Sequence, residues 1–171
     1  LGAVWSSCSP DHGVDAVYDR FKQLQPKVFF AHRTYQYNGK KQDCTVRIAA
    51  VQKQIQSIAH TIHLDSYAAF DDTPAQIDQL QFISVSFSDP IWVLFSSGTT
   101  GKPKALVHGT GHMLLEHLKA LALHQNVCEG DTYFWYSTTG WMMWNYALSS
   151  LLCGATLCLY QGAPNHPTKD S

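Results

Sequence analysis

Ser96, Ser97, Gly98, Thr99, Thr100 and Gly101 form an uninterrupted run of small residues, followed by Lys102, Pro103 and Lys104. Hydroxyls and uncovered backbone N–H groups in such a run can surround an anion with no bulky side chain in the way. The two lysines add positive charge and the proline stiffens the exit. Holding phosphate is the chemistry this composition favours. The familiar strand-to-helix phosphate loop is excluded, because Gly98 and Gly101 stand too close together and Pro103 occupies the place of the required hydroxyl. A flexible Gly/Ser linker is the plain alternative, but linkers lack a fixed Pro-Lys end and a buried strand directly before them.

Other reactive side chains are less organised. Cys8, Cys44, Cys128, Cys153 and Cys158 contain no C-x-x-C pair, which argues against a zinc site or a disulfide framework and for reduced, mostly buried thiols. His108, His112 and His117, or His60 and His63, invite a metal hypothesis. No carboxylate or cysteine accompanies them at ligand spacing, and His112 and His117 are poorly spaced for one helix face. Hydrogen-bonded or surface histidines are therefore expected, and no metal site.

The elements that must position the small-residue run can be read around it. Ile91, Trp92, Val93, Leu94 and Phe95 form a continuous apolar segment, as in a buried strand of an α/β sheet, and residues 105–107 continue as a short strand beyond the run. Residues 111–124 read as a helix with Leu114, Leu115, Leu118, Leu121 and Ala122 inward and Glu116 and Lys119 outward. Gly130-Asp131 turns into an aromatic strand at 132–136, residues 141–152 are helical, and 155–160 form another strand.

Upstream, Ser9 and Pro10 make an N-cap and first-turn pair for a helix on which Val14, Val17, Tyr18, Phe21 and Leu24 share a stripe, ended by Pro26. Residues 28–31 read as a buried strand and Asn38-Gly39 as a hairpin turn. Val51, Ile55, Ile58 and Ile62 have amphipathic-helix spacing, residues 71–78 are a polar loop, and residues 82–88 alternate weakly as a strand might. Strands alternating with helices make the fold class α/β.

A hydrophobic content of 45% in 171 residues supports a sizeable core and one domain. The net charge of −1 offers no electrostatic footprint for nucleic acid or an anionic membrane. No apolar run approaches a membrane span and the start has no signal-peptide pattern, so the expected setting is cytoplasmic. Leu rather than Met at position 1 and the polar end PTKDS suggest truncation at both ends.

The run at residues 96–104 resembles, at every position, the phosphate loop of the adenylate-forming enzymes, a Ser/Thr/Gly run ending in Thr-Gly-x-Pro-Lys. That superfamily holds acyl-CoA synthetases, peptide-synthetase adenylation domains and luciferases. The segments YFWYSTTGWMMWN and GATLCLYQGAPNHP, with LGAVWSSCSPDHGVDAVYDRFKQLQPKVFF and YQYNGK upstream, are similar to its acetoacetyl-CoA synthetase branch. Acetyl- or propionyl-CoA synthetases are the runner-up, and the string Ser137 to Asn145 favours the acetoacetate branch. The resemblance covers residues 1–40 and 89–167; residues 41–88 are unmatched and shorter than the family's usual connection.

The resemblance implies part of a single AMP-binding N-terminal domain, with sheets sandwiched by helices and the C-terminal domain absent. It implies ligation of acetoacetate to CoA with ATP and Mg²⁺, small-molecule substrates only, and a place in lipid and ketone-body metabolism. Ser96, Ser97, Gly98, Thr99, Thr100, Gly101 and Lys104 would bind the nucleotide phosphates. Trp141, Met142 and Met143 would wall the acyl pocket, since Gly140-Trp141 matches the family's Gly-Trp segment; the alternative makes Trp141, Met142 and Trp144 core residues of an amphipathic helix. No Tyr/Phe-Gly-x-Thr-Glu segment, ribose-binding Asp or later catalytic Lys is found. The expectation is an incomplete and by itself inactive portion of a ligase, or else a non-catalytic nucleotide-binding product.

Overall fold

A computed structural model describes residues 2–66, 81–96, 101–160 and 162–166. They divide into two compact units, one from residues 10–80 and 161–171, the other from residues 1–9 and 81–160. The polar loop expected at 71–78 lies outside the described residues.

In the first unit, helix α1 (Val14–Leu24) buries Phe21 from the expected stripe. Its N-cap is Gly13, in an extended conformation and without a side-chain cap, rather than Ser9. Residues 10–12 turn and bend before the helix begins, so the Ser-Pro pair lies too far upstream to cap it. At the other end Gln25 turns into a left-handed C-cap, φ 48°, with its N–H still donated to the Phe21 carbonyl, and Pro26 follows it.

Strand β1 (Val28–Ala31) lies parallel to β4 (His60–His63), with Val28 opposite His60 and Ala31 opposite His63. Between them come the hairpin of β2 (Thr34–Tyr37) and β3 (Lys40–Asp43) and helix α2 (Thr45–Gln54). The hairpin turn is where expected: Asn38 and Gly39 both have positive φ, 51° and 68°, the tight turn whose twist matches paired strands. The Asp43 carboxylate accepts the Thr45 N–H at 2.7 Å and so starts α2.

The helix expected through Ile58 and Ile62 stops at Gln54. Ile62 instead stands in β4 opposite Phe30, and the Ala59 and His60 N–H groups both donate to the Lys27 carbonyl. Apolar residues three or four apart do not by themselves separate a helical stripe from a turn followed by a half-buried strand. The buried strand expected at 28–31 is likewise corrected, since Val28 and Phe30 are exposed and only Ala31 is buried. Ala31, Cys44 and Ile48 form the local core, with Phe29 and Tyr35 against it.

In the second unit, β5 (Pro90–Ser96) pairs antiparallel with β6 (Lys104–Gly109). Trp92, Val93 and Leu94 are buried, as the apolar run required. On its other side Val93 donates its N–H to the Trp5 carbonyl at 2.8 Å, Trp5 donates to Ile91, and the Ser6 hydroxyl donates to the Val93 carbonyl. Residues 81–86 carry no regular structure, and Phe82 and Ile83 are exposed, so this stretch is a connector and not a strand.

Helix α3 (Thr110–Leu118) runs into a π-helical segment, Lys119–His124. Its buried residues are Met113 and Leu121, whereas Leu115, Leu118 and Ala122 of the expected inward face are exposed. The true inward face is centred on Met113 and His117, about 100° round from the expected one. The wider π-helical turn then delays the rotation and brings Leu121 back toward Met113.

Strand β7 (Thr132–Phe134), helix α4 (Met142–Leu148), a 3₁₀ segment (Ser149–Cys153) and β8 (Thr156–Cys158) complete a βαβ unit, with β7 and β8 parallel. Leu121, Val127, Tyr146 and Ala155 form its core. All five cysteines are free, yet only Cys44 is buried, and Cys128 and Cys158 are exposed. The mostly buried thiols expected from the sequence are therefore corrected: short strands such as Thr156–Cys158 leave alternate side chains outside.

Burial holds His117 below the ordinary histidine value, with repulsion from His108 in the same direction and Glu116 opposing. Burial and Arg20 do the same to His12, against Asp11. Below the ordinary value of 6.5 the unfolded chain therefore binds protons first, and stability present above that pH is lost as pH falls through the lowered folded values. The urea midpoint is expected to be lower at about pH 5.5 than at about pH 7.5, with His117→Phe removing part of the difference. Identical pH dependence in wild type and variant would assign the effect to other groups.

Candidate active site

The β5–β6 ladder fixes both ends of the small-residue run. Ser96 is the last residue of β5, Lys104 the first of β6, and the two are register partners. Ser97, Gly98, Thr99 and Thr100 lie outside the described residues. Gly101 has a φ of 83°, and no atom of the described residues lies within 4 Å of where a Cβ would be, so its conformation favours glycine there. Lys102 and Lys104 are exposed at the open end of the hairpin. A loop tethered this way can present N–H groups, hydroxyls and ammonium groups to an anion while its stem stays anchored through Trp92, Val93 and Leu94.

The entry to the stem is braced on α3. Thr110 donates its N–H to the Asp89 carbonyl and Gly111 to the Phe87 carbonyl, both at 2.8 Å, which satisfies first-turn donors of the helix. The Phe87 ring lies so near Gly111 that a Cβ there would fall 2.1 Å from it.

The segment before α4 is held by the chain's own beginning. Thr139 accepts a hydrogen bond from the Ser7 hydroxyl and donates its own to the Cys8 carbonyl. A Cβ on Gly140 would fall 2.9 Å from the Ser9 backbone nitrogen. Nothing in the composition of residues 7–9 marks them for this role, because their hydrogen-bond partners lie 131 and 132 positions away. Trp141 follows as the extended N-cap of α4, with its N–H on the Thr138 carbonyl at 3.1 Å.

Trp141 and Met142 are 60% and 49% exposed, which removes both from the described core. Met143 packs against Leu121, Val127, Tyr146 and Ala155, so the three proposed acyl residues do not share one face. A shallow depression lies at the carboxyl ends of β7 and β8, where Trp135, Tyr136, Ser137, Trp144 and Tyr160 are among its lining residues. The carboxyl ends of parallel strands are where α/β sheets accept ligands. Tyr136 and Tyr160 meet edge to face at 6.0 Å across it. The aromatic strings YFWY and LCLY were legible, but their convergence needed the parallel pairing of β7 with β8. Among the described residues no three His, Cys, Asp or Glu side chains are grouped to hold a metal ion.

The family model described as AMP-binding enzyme matches residues 1–170, including the stretch 41–88 that motif comparison left unmatched. The chain is 42% identical to acetoacetyl-CoA synthetase of Mus musculus, over 98% of this chain and 28% of that protein. It is equally identical to acetoacetyl-coenzyme A synthetase of Rhizobium meliloti (strain 1021), with the same coverage. Identity to malonamoyl-CoA synthetase vrtB of Penicillium aethiopicum is 30%, over 96% of this chain and 25% of that one. Among solved structures, acetoacetyl-CoA synthetase from Streptomyces lividans superimposes with a TM-score of 0.88 at 41% identity, over 99% of this chain and 28% of that chain. The chain thus spans little more than a quarter of the relatives' length, and the 188-position alignment to the mouse protein contains residues with no counterpart here.

The Gly140 contact generates a specific expectation. Gly140→Ala should destabilise the second unit by about 1–3 kcal/mol, because the new methyl meets backbone and not a movable side chain. Chemical denaturation measures the loss, and hydrogen exchange at residues 138–142 should rise with it. An unchanged midpoint would show that residues 7–9 yield without cost.

Proposed function

We infer, for a chain that belongs to the AMP-binding enzyme family, that residues 1–171 supply the phosphate loop and an acyl-side segment of an acetoacetate–CoA ligase. They are read as part of one N-terminal domain. The register of Ser96 with Lys104 supports this reading, because it holds the two ends of the small-residue run opposite one another. Identities near 42% to acetoacetyl-CoA synthetases, together with the string STTGWMMWN, favour acetoacetate over acetate or propionate.

The chemistry has two displacements. A carboxylate oxygen of acetoacetate attacks the α-phosphorus of ATP, the bond to the β-phosphate breaks, and pyrophosphate leaves. The CoA sulfur then attacks the acyl carbon, its proton is lost, and AMP departs with the bonding electrons. Negative charge accumulates on the departing pyrophosphate in the first step, where N–H groups, hydroxyls and ammonium groups in fixed positions stabilise it most. Ser96, Ser97, Gly98, Thr99, Thr100, Gly101 and Lys104 are assigned that task. Mg²⁺ would arrive on the ATP phosphates as part of the substrate.

On the acyl side, exposed Trp141 and Met142 suit a wall completed by other residues, and Met143 supports them from the core side. Five free cysteines fit a reducing compartment, and a cytoplasmic setting belongs to this reading. Among the described residues no helix is long and apolar enough to cross a membrane. Without the adenine, ribose and later lysine motifs the 171 residues alone are expected not to turn over, since a loop on one end of ATP cannot align the α-phosphorus.

The test replaces the matching segment of the mouse enzyme by residues 1–171 and follows acetoacetate-dependent pyrophosphate release. Lys104→Ala or Thr100→Val should slow adenylate formation on the order of 100-fold, while thioester formation from supplied acyl-adenylate stays within about threefold. Equal loss in both half-reactions would indicate folding damage. Trp141→Ala should shift relative kcat/KM toward acids bulkier than acetoacetate. Unchanged ratios in a folded variant would remove Trp141 from the acyl wall.

A further inference from the structure

His117 stands where three elements of the second unit meet. Its ring centroid is 5.6 Å from that of Trp92 on β5 and 5.1 Å from that of Tyr146 on α4. Its Nδ1 is 2.7 Å from the Ser149 hydroxyl, which also lies 3.1 Å from the Asn145 carbonyl and 3.8 Å from the Met113 sulfur. Trp92 in turn is the register partner of His108 on β6. One imidazole therefore touches the strand that feeds the small-residue loop and the helix whose N-cap is Trp141.

The contact types differ in what they fix. Ring packing against Trp92 and Tyr146 sets separation but tolerates sliding and rotation. A hydrogen bond at 2.7 Å sets the ring's rotation and depth. Trp92 Nε1 and His108 Nδ1 are buried and make no hydrogen bond among the described residues, so the His117–Ser149 bond is the polar tie at this junction. Removing it leaves Ser149 its bond to Asn145, so α4 can persist while its seat against His117 of α3, and through His117 its link to β5, loosens.

We propose that His117 is a positioning residue that couples the β5–β6 loop stem to α4 through Ser149, keeping the phosphate loop and the Trp141 segment in mutual register. The functional half of this statement rests on the assignment of residues 96–104 to phosphate and of Trp141 to the acyl side.

Hydrogen exchange on the 171-residue chain tests the coupling without reference to activity. In His117→Phe, which keeps an aromatic ring, and in Ser149→Ala, exchange is expected to quicken about fivefold at residues 94–96 and 104–106 and also at 138–142. His117→Asn, whose amide can replace Nδ1 toward Ser149, should restore protection, while His117→Gln, with its amide at the other ring nitrogen's place, should not. Quickening at only one of the two segments, or at neither, overturns the proposal. Should His117→Phe fail to fold, Ser149→Ala decides.

Inorganic pyrophosphate titrated into the same proteins separates the two readings. Absence of binding to the wild type would sink the phosphate-loop assignment, and exchange alone would then judge the coupling. With binding present, His117→Phe and Ser149→Ala should weaken it about fivefold and His117→Asn should not. Unchanged affinity in both weakened variants overturns the positioning role.

Discussion

Ser96 and Lys104 stand opposite one another because β5 and β6 pair from Trp92 and His108 to their ends, and everything proposed for the loop depends on that register. A slip by one residue would turn Trp92 and Leu94 out of the core cluster they form with Met113 and would move Lys104 away from the end of the first strand. Burial of alternate side chains on one face therefore controls where an exposed cation sits. The same strand carries Trp92 to His117, so the register that sets the loop also sets the junction with α4.

The second unit divides labour between its pairs of strands. The antiparallel pair presents a loop, which can approach an anion with backbone and short side chains. The parallel pair β7–β8 presents a shallow depression lined by aromatic residues. Between them lies α3 and its π-helical continuation, whose Met113 serves the cluster with Trp92 and whose Leu121 serves that with Tyr146.

Local chemistry was legible in the sequence wherever a single residue pair dictated it. Asn38-Gly39 could only be a tight hairpin turn, Pro26 could only end α1, and the run from Ile91 to Phe95 had to be buried. What stayed hidden depended on partners distant in the chain. Ile62 joined a strand because Phe30 was there to meet it, and Leu115 and Leu118 of α3 turned outward because Trp92 and Tyr146 favour the face bearing Met113 and His117, while Leu114 stays packed on the Trp92 cluster. For the candidate site, the composition of the small-residue run suggested phosphate, and its two ends stand as register partners. By contrast, Tyr136, Trp144 and Tyr160 share a hollow only after a parallel crossover, and the bracing of Gly140 by Ser7, Cys8 and Ser9 links opposite ends of the chain.

That last link makes residues 5–9 a structural support of the unit. Trp5 and Ser6 cover the side of β5 that β6 leaves open, while Ser7, Cys8 and Ser9 support the backbone just ahead of Trp141. Displacing residues 5–9 would remove both supports at once. It would uncover a strand edge able to recruit other chains, and would slacken a segment far downstream in sequence, although no residue of the loop or of α4 had been touched.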